Sequence, residues 1–206
     1  MKKFLFALAV CGLGSGLAAH ADTINASLTD GLTCSTLNPC GTITVTDVAG
    51  GVTVTEQLAP NFFVVTGNGT NHVSLAMDLD KAGLTASNFS LPADWAFGTN
   101  ANPAGADFNG TDYDYFVQWS PSGCSGSSCP TVTGVTFTIT GVTTADFDLA
   151  DAFPFVSDIK VAGATGNVGA DGTLSRTPET PEPSSLMLLG TGALGLAGVI
   201  RRRFNR

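Results

Sequence analysis

Alternation of apolar and hydroxyl-bearing residues is the feature that most limits how this chain folds. Residues 42–47 alternate Thr with Ile, Val and Asp, a turn pair of glycines follows, and residues 52–58 alternate Val, Glu and Leu with Thr and Gln. A period of two places one set of side chains on each face of a strand, whereas a helix needs a period near 3.6. The pattern predicts a hairpin with its threonines toward water and its Val/Ile face toward a core.

The same pattern recurs later in the chain, so an all-β domain is expected. Further segments that are apolar throughout or alternate lie at residues 62–65, 73–79, 113–119, 135–139 and 159–161. Loops rich in Gly, Asn, Pro and Ser separate them, and no helix is predicted between the two ends of the chain. Short alternating strands with frequent turns are typical of a sandwich. The predicted fold is an all-β ectodomain, a jelly-roll-like β-sandwich over residues 22–174.

The distribution of charge excludes nucleic acid as a partner. The chain of 206 residues has a formal net charge of −8, but all seventeen acidic residues and only three of the nine basic residues lie between Asp22 and Pro183. That stretch therefore carries a net charge of −14. A surface of this charge repels phosphate backbones.

The N-terminus has the three parts of a secretory signal peptide. Two lysines supply the positive start, an apolar run follows, and small residues lead to an A-x-A cleavage site formed by Ala19 and Ala21. Residues 1–21 are therefore predicted to be a signal peptide, used by the Sec machinery and removed by signal peptidase. The mature chain then begins at Asp22.

The C-terminus has a second signal in three parts. A Pro-rich stalk at residues 175–183 comes first, the uncharged residues 184–200 follow, and residues 201–206 are mostly basic. The uncharged segment makes a helix of about 25 Å, somewhat shorter than the roughly 30 Å hydrocarbon layer of a membrane. It is predicted to be a short transmembrane helix whose end stays in the cytoplasm, because basic residues are retained there. These basic residues are Arg201, Arg202, Arg203 and Arg206.

The tail resembles the PEP-CTERM sorting signal of Gram-negative bacteria, in the motif Pro181-Glu182-Pro183, the Leu/Gly/Ala-rich helix and the terminal arginines. The resemblance implies that an exosortase, a membrane-embedded cysteine transpeptidase, recognises these three motif residues and that the helix is kept only until processing. It also implies a host that produces exopolysaccharide. The expected route is transient anchoring in the inner membrane with the ectodomain in the periplasm, and then the cell surface or the exterior.

Four cysteines remain after removal of the signal peptide, in two close pairs. Disulfides are predicted between Cys34 and Cys40 and between Cys124 and Cys129, because an exported chain reaches an oxidising compartment. Crossed pairing and a single shared zinc site are the alternatives, since sequence does not determine connectivity.

No catalytic pattern is evident, so a non-enzymatic protein is expected. His72 is the only histidine of the mature chain, and no G-x-S-x-G elbow or phosphate-binding loop occurs. No cofactor is expected, but calcium is an alternative to simple solvated charge, because calcium prefers clustered oxygen ligands. The candidate calcium ligands are Asp78, Asp80, Asp112, Asp114, Asp146, Asp148 and Asp151.

The expected role is structural or adhesive, within an exopolysaccharide layer at the cell surface or in the extracellular matrix. A secreted carbohydrate-binding module is the first alternative and a secreted glycan-active enzyme the second. The candidate glycan contacts are aromatic, although alternating aromatic residues more often form a core. They are Trp95, Tyr113, Tyr115 and Trp119.

Overall fold

The computed structural model describes residues 22–31, 34, 38–65, 73–103, 112–123 and 129–177, with side chains described as far as Ala170. These residues belong to one unit, residues 21–179. They form two short 3-10 turns, Ala86–Asn88 and Thr144–Asp146, and eleven strands. The strands are β1 (Thr23–Asp30), β2 (Gly41–Val48), β3 (Gly51–Leu58), β4 (Phe63–Val64), β5 (Leu75–Met77), β6 (Phe89–Ser90), β7 (Trp95–Ala101), β8 (Tyr113–Trp119), β9 (Gly134–Thr140), β10 (Phe155–Val161) and β11 (Ala164–Thr177).

One hydrogen-bonded path joins the strands in the order β6-β9-β3-β2-β1-β11-β10-β5-β8-β7, and β4 pairs with β10 beside this path. The pairings between the described strands are antiparallel. The two edge strands, β6 and β7, approach each other: the ring centroids of Phe89 on β6 and Phe97 on β7 are 4.5 Å apart. The sheet therefore curls into a nearly closed, barrel-like form.

The predicted hairpin is confirmed by β2 and β3. Gly50 in the turn has a φ of +83°, a left-handed conformation that glycine adopts at low cost. The inward rows of the two strands include Ile43, Val45, Val52 and Val54, which are fully buried. β-Branched residues dominate these rows because their stiff side chains pack well on a pleated surface.

The prediction of an all-β fold is confirmed, but the strands form one continuous path where two separate sheets were expected. The reason is the length of β11, which has 14 residues. Its first part, from Ala164 to Gly169, pairs with β10, and the part from Gly169 to Thr177 pairs with β1. One strand therefore joins the two halves of the molecule. It also runs three residues past the domain boundary predicted at residue 174.

Within the part of the chain that the structure describes, no helix has the length and apolar character needed to cross a membrane. The predicted signal peptide at residues 1–21 and the predicted transmembrane helix at residues 184–200 both lie outside the described residues.

Candidate functional site

Several of the predicted site residues lie outside the described residues. They are the cleavage site residues Ala19 and Ala21, Cys124, the motif residues Pro181, Glu182 and Pro183, and the terminal arginines Arg201, Arg202, Arg203 and Arg206. The described part of the chain contains two groups of polar side chains that could bind a ligand. One is a group of carboxylates, and the other is an uncharged face of hydroxyl groups.

Four of the seven candidate calcium ligands come together, and we call them the acidic corner: Asp78, Asp114, Asp148 and Asp151. Asp78 follows β5, Asp114 lies on β8, and the other two lie in the loop before β10. Carboxylate oxygens of Asp78, Asp148 and Asp151 lie within 4.8 Å of one another. Asp114 joins them because its Oδ2 accepts a hydrogen bond at 3.3 Å from the amide of Leu79, the residue after Asp78.

Burial and the neighbouring carboxylates change the protonation of Asp78 in the acidic corner. Burial raises the pKa of Asp78 to about 8, and its hydrogen bonds to Asp114 and Asp151, together with their negative charges, contribute to the rise. Asp78 therefore keeps a proton at neutral pH. A calcium ion binds deprotonated carboxylates, so the ion and this proton would compete for the same oxygen atoms.

The other three candidate ligands have different partners. Asp112 Oδ1 accepts a hydrogen bond from Asn102 Nδ2 at 2.9 Å. Asp146 Oδ2 accepts one at 2.7 Å from the amide of Thr143, which precedes the second 3-10 turn. Asp80 is exposed, and its amide donates to the Asp146 carbonyl at 2.8 Å. The structure thus gathers four of the seven predicted ligands, and calcium binding stays a prediction for the acidic corner alone.

Three of the four candidate glycan contacts are buried: Tyr113, Tyr115 and Trp119. Their polar atoms are used inside the protein, since the Tyr115 hydroxyl donates to the Lys81 carbonyl at 2.7 Å and the Tyr113 hydroxyl to the Phe153 carbonyl at 2.7 Å. Trp95 is half-buried and packs against Trp119, with ring centroids 5.7 Å apart. These four side chains therefore do not form an exposed stacking platform.

The structure joins Cys34 and Cys40 in a disulfide. Both residues are buried in the main hydrophobic core, next to the Leu28 carbonyl. Cys129 is also disulfide-bonded, and its predicted partner, Cys124, lies outside the described residues. A zinc site needs free thiolates, which these three disulfide-bonded residues do not offer.

The outward rows of four neighbouring strands form an uncharged surface, which we call the hydroxyl face. Strand pairing aligns its side chains in rows, such as Asn25–Thr44–Thr55–Thr136 and Thr23–Thr46–Thr53–Thr138. Side chains repeat about every 4.8 Å across the strands and about every 6.8 Å along them. The full set is Thr23, Asn25 and Ser27 on β1, Thr42, Thr44 and Thr46 on β2, Thr53, Thr55 and Gln57 on β3, and Thr136, Thr138 and Thr140 on β9.

The hydroxyl face contains a shallow depression of about 310 Å³, lined by Thr55, Gln57, Thr133 and Thr136 among others. Gly134 lies opposite Gln57 and leaves this space open. Its φ is +143°, and a Cβ there would lie 2.1 Å from the carbonyl oxygen of Glu56. Only glycine fits at this position, so the depression is a consequence of the backbone itself.

Comparison with known proteins identifies the tail. Residues 179–203 match a family model described as the PEP-CTERM protein-sorting motif. No curated protein matches the chain, and no solved structure matches it. The match confirms the resemblance seen in the tail residues, and the role of the β-domain must be argued from its own geometry.

Proposed function

We propose that this chain, which carries a PEP-CTERM sorting motif, is an exported protein that an exosortase-type transpeptidase processes at its tail, and that it serves a structural or adhesive role. The observation that carries the proposal is the motif at residues 179–203. A motif of this kind targets an exported protein to the sorting enzyme. We further propose that the role is non-enzymatic and lies within an exopolysaccharide layer.

The proposed route follows from the two ends of the chain. The Sec machinery exports the chain, and signal peptidase cleaves after Ala21. Residues 184–200 then hold the protein in the inner membrane, with the arginines on the cytoplasmic side and the β-domain in the periplasm. Cleavage at the motif frees the domain from this helix. The finished protein then reaches the cell surface or the exterior.

Mass spectrometry of the C-terminal peptide tests the route in the native host. We expect mature wild-type protein to lack residues 184–206, and a Glu182→Ala variant to keep them and stay in the membrane fraction. Pro178→Ala is the matched control, because it changes a proline of the stalk just outside the matched residues. Wild-type protein that still carries Arg206 at the cell surface would contradict the proposal.

The hydroxyl face supports the adhesive role. Its twelve side chains include no ionisable group, although residues 22–183 carry a net charge of −14. Hydroxyl and amide groups both donate and accept hydrogen bonds, which matches the hydroxyl groups of a neutral polysaccharide. Repetition along and across the strands allows many weak contacts with a repeating polymer at once, and many weak contacts give strong retention.

Replacing threonine by valine tests this surface, because the two side chains have nearly the same shape and only the hydroxyl is lost. We expect the triple variant Thr44→Val, Thr55→Val and Thr136→Val to bind isolated host exopolysaccharide at least about tenfold more weakly, since each hydrogen bond contributes about 0.5–1.5 kcal/mol. Thr99→Val, on the exposed side of β7, is the matched control. Unchanged binding by the folded triple variant would contradict the assignment, and loss of binding in Trp95→Ala alone would favour an aromatic carbohydrate-binding site.

A further inference from the structure

A carboxylic acid lies inside the curled sheet, and none of the roles above uses it. Glu56 belongs to the inward row of β3 and is 3% exposed, while Ser157 on β10 and Ser74 before β5 are fully buried. The Ser157 hydroxyl is hydrogen-bonded to Glu56 Oε1. Three strands, β2, β1 and β11, separate β3 from β10 along the sheet. The contact therefore crosses the interior and connects opposite walls.

The number of hydrogens on Ser157 and Glu56 determines which of the two groups donates in this contact. The Ser157 hydroxyl has one hydrogen and lies 2.9 Å from the carbonyl oxygen of Ser74, which can only accept. If Glu56 is ionised, its Oε1 takes that hydrogen and the contact with the carbonyl loses it. If the hydrogen is directed to the carbonyl, the hydrogen bond between Ser157 and Glu56 needs a proton from the carboxyl group. Glu56 must be neutral for both bonds to exist at the same time.

Among the residues whose side chains the structure describes, the strands around Glu56 place no cation against its carboxyl group. Ile43 on β2 and Val135 on β9 lie directly opposite Glu56 in the pairing of β3. On β10, Asp158 and Lys160 lie on the other face of the strand from Ser157, because side chains alternate.

The remaining ionisable groups near this core are engaged elsewhere. On β2, the carboxylate of Asp47 accepts hydrogen bonds from the amide and hydroxyl of Thr144. The buried Tyr115 donates its hydroxyl to the Lys81 carbonyl. Burial raises the pKa of Glu56 to about 7, and the hydrogen bond with Ser157 offsets part of this rise. Within the described residues its second oxygen, Oε2, is buried without a hydrogen-bond partner, so an ionised Glu56 would leave a poorly solvated charge in the core.

We propose that Glu56 is a proton-operated bridge: in its neutral form it joins β3 to β10 through Ser157, and loss of its proton weakens the closed sheet. The bridge makes the stability of the exported domain depend on the pH of its surroundings. The contribution of Glu56 to stability is complete below pH 4.5, falls as the pH rises towards 7 and is lost above it. This inference is independent of the tail and of the hydroxyl face.

Urea unfolding of the exported protein, purified from its host, tests the bridge between pH 5 and pH 9. An acid whose pKa rises from 4.5 to about 7 on folding increases the unfolding equilibrium constant by roughly 10²-fold over this range. We expect Glu56→Gln to remove this part of the pH dependence, since the amide can still donate to Ser157 without a charge. Asp78→Asn is the matched control, because it removes the retained proton of the partly exposed acidic corner and leaves the contribution of Glu56 in place.

Infrared spectroscopy provides a second measurement that does not depend on the folding of a Glu56 variant. In the Asp78→Asn background, we expect the stretching band of a protonated carboxyl group at pH 6 and its loss near pH 8. Absence of that band at pH 6 would overturn the proposal. An identical pH dependence of unfolding in wild type and folded Glu56→Gln would overturn it as well.

Discussion

Glu56 and Asp78 are two carboxyl groups whose pKa values are both raised, but their surroundings differ. Glu56 lies in the interior, where burial raises its pKa to about 7 and no charged side chain among those the structure describes contributes to the rise. Asp78 lies at the partly exposed acidic corner, where Asp114 and Asp151 add to the effect of burial. The comparison shows that burial is the main origin of both retained protons, and that hydrogen bonds and repulsion from neighbouring carboxylates add to it only at the corner. A neutral substitution removes either effect, whereas the loss of a neighbouring carboxylate charge acts only on Asp78.

The largest effect is expected when the partner of Glu56 is removed. Ser157→Ala leaves the Glu56 carboxyl and the Ser74 carbonyl without their shared hydrogen-bond partner, which costs about 1–3 kcal/mol of unfolding free energy at pH 5. Urea unfolding measures this loss. Ser90→Ala on the exposed side of β6 is the control and should stay within about 0.5 kcal/mol of wild type. Equal stability of the two variants would show that the interior contact does not stabilise the fold.

A smaller effect is expected at the acidic corner. Asp78 has a pKa of about 8 in the folded protein, above its ordinary 3.8, so its contribution to stability is complete below pH 3.8 and is lost as the pH rises through 8. Asp78→Asn should therefore flatten the decline of the urea midpoint between pH 4 and pH 9. Asp151→Asn should do so only in part, because it removes one of the neighbouring charges. If Asp151→Asn changes nothing, repulsion is not the origin of the retained proton.

The smallest effect is expected from calcium. At a concentration equal to its dissociation constant, a ligand stabilises the folded state by about 0.4 kcal/mol. Millimolar calcium should raise the melting temperature of wild type slightly at pH 8.5 and less at pH 6, where the proton on Asp78 competes with the ion. Glu56→Gln should keep this response and Asp78→Asn should lose it. Absence of any calcium response at pH 8.5 would leave solvated charge as the interpretation of the corner.

Local patterns predicted several strands and missed others. The hairpin of β2 and β3, β8 and β9 were predicted from alternating residues. β1, β6, β7 and β11 were missed, although β1 alternates as clearly as β2. Gly98 interrupts the pattern in β7, and β11 has a glycine-rich sequence. Such strands are held by their pairing with neighbours, which a local pattern does not reveal.

For the candidate sites, too, local sequence predicted some features and packing decided the others. The sequence predicted that acidic residues could form a cluster, but it offered seven of them, and only the loop before β10 and the pairing of β5 with β8 selected four. Glu56 was placed in the inward row of β3 by its period, yet its partner Ser157 lies 101 residues away. No local pattern indicates a pair so distant along the chain. The burial of Tyr113, Tyr115 and Trp119 was likewise decided by packing.

The sequence alone determined what depends on neighbouring residues: the sorting motif of the tail, the β-character of the domain, and the outward threonines of the hairpin. Tertiary structure decided what depends on distant residues: the curling of one sheet around β11, the membership of the acidic corner, and the contact of Glu56 with Ser157. The physical reason is that alternation is a local property, whereas strand pairing, burial and the resulting pKa values arise only when separate strands meet.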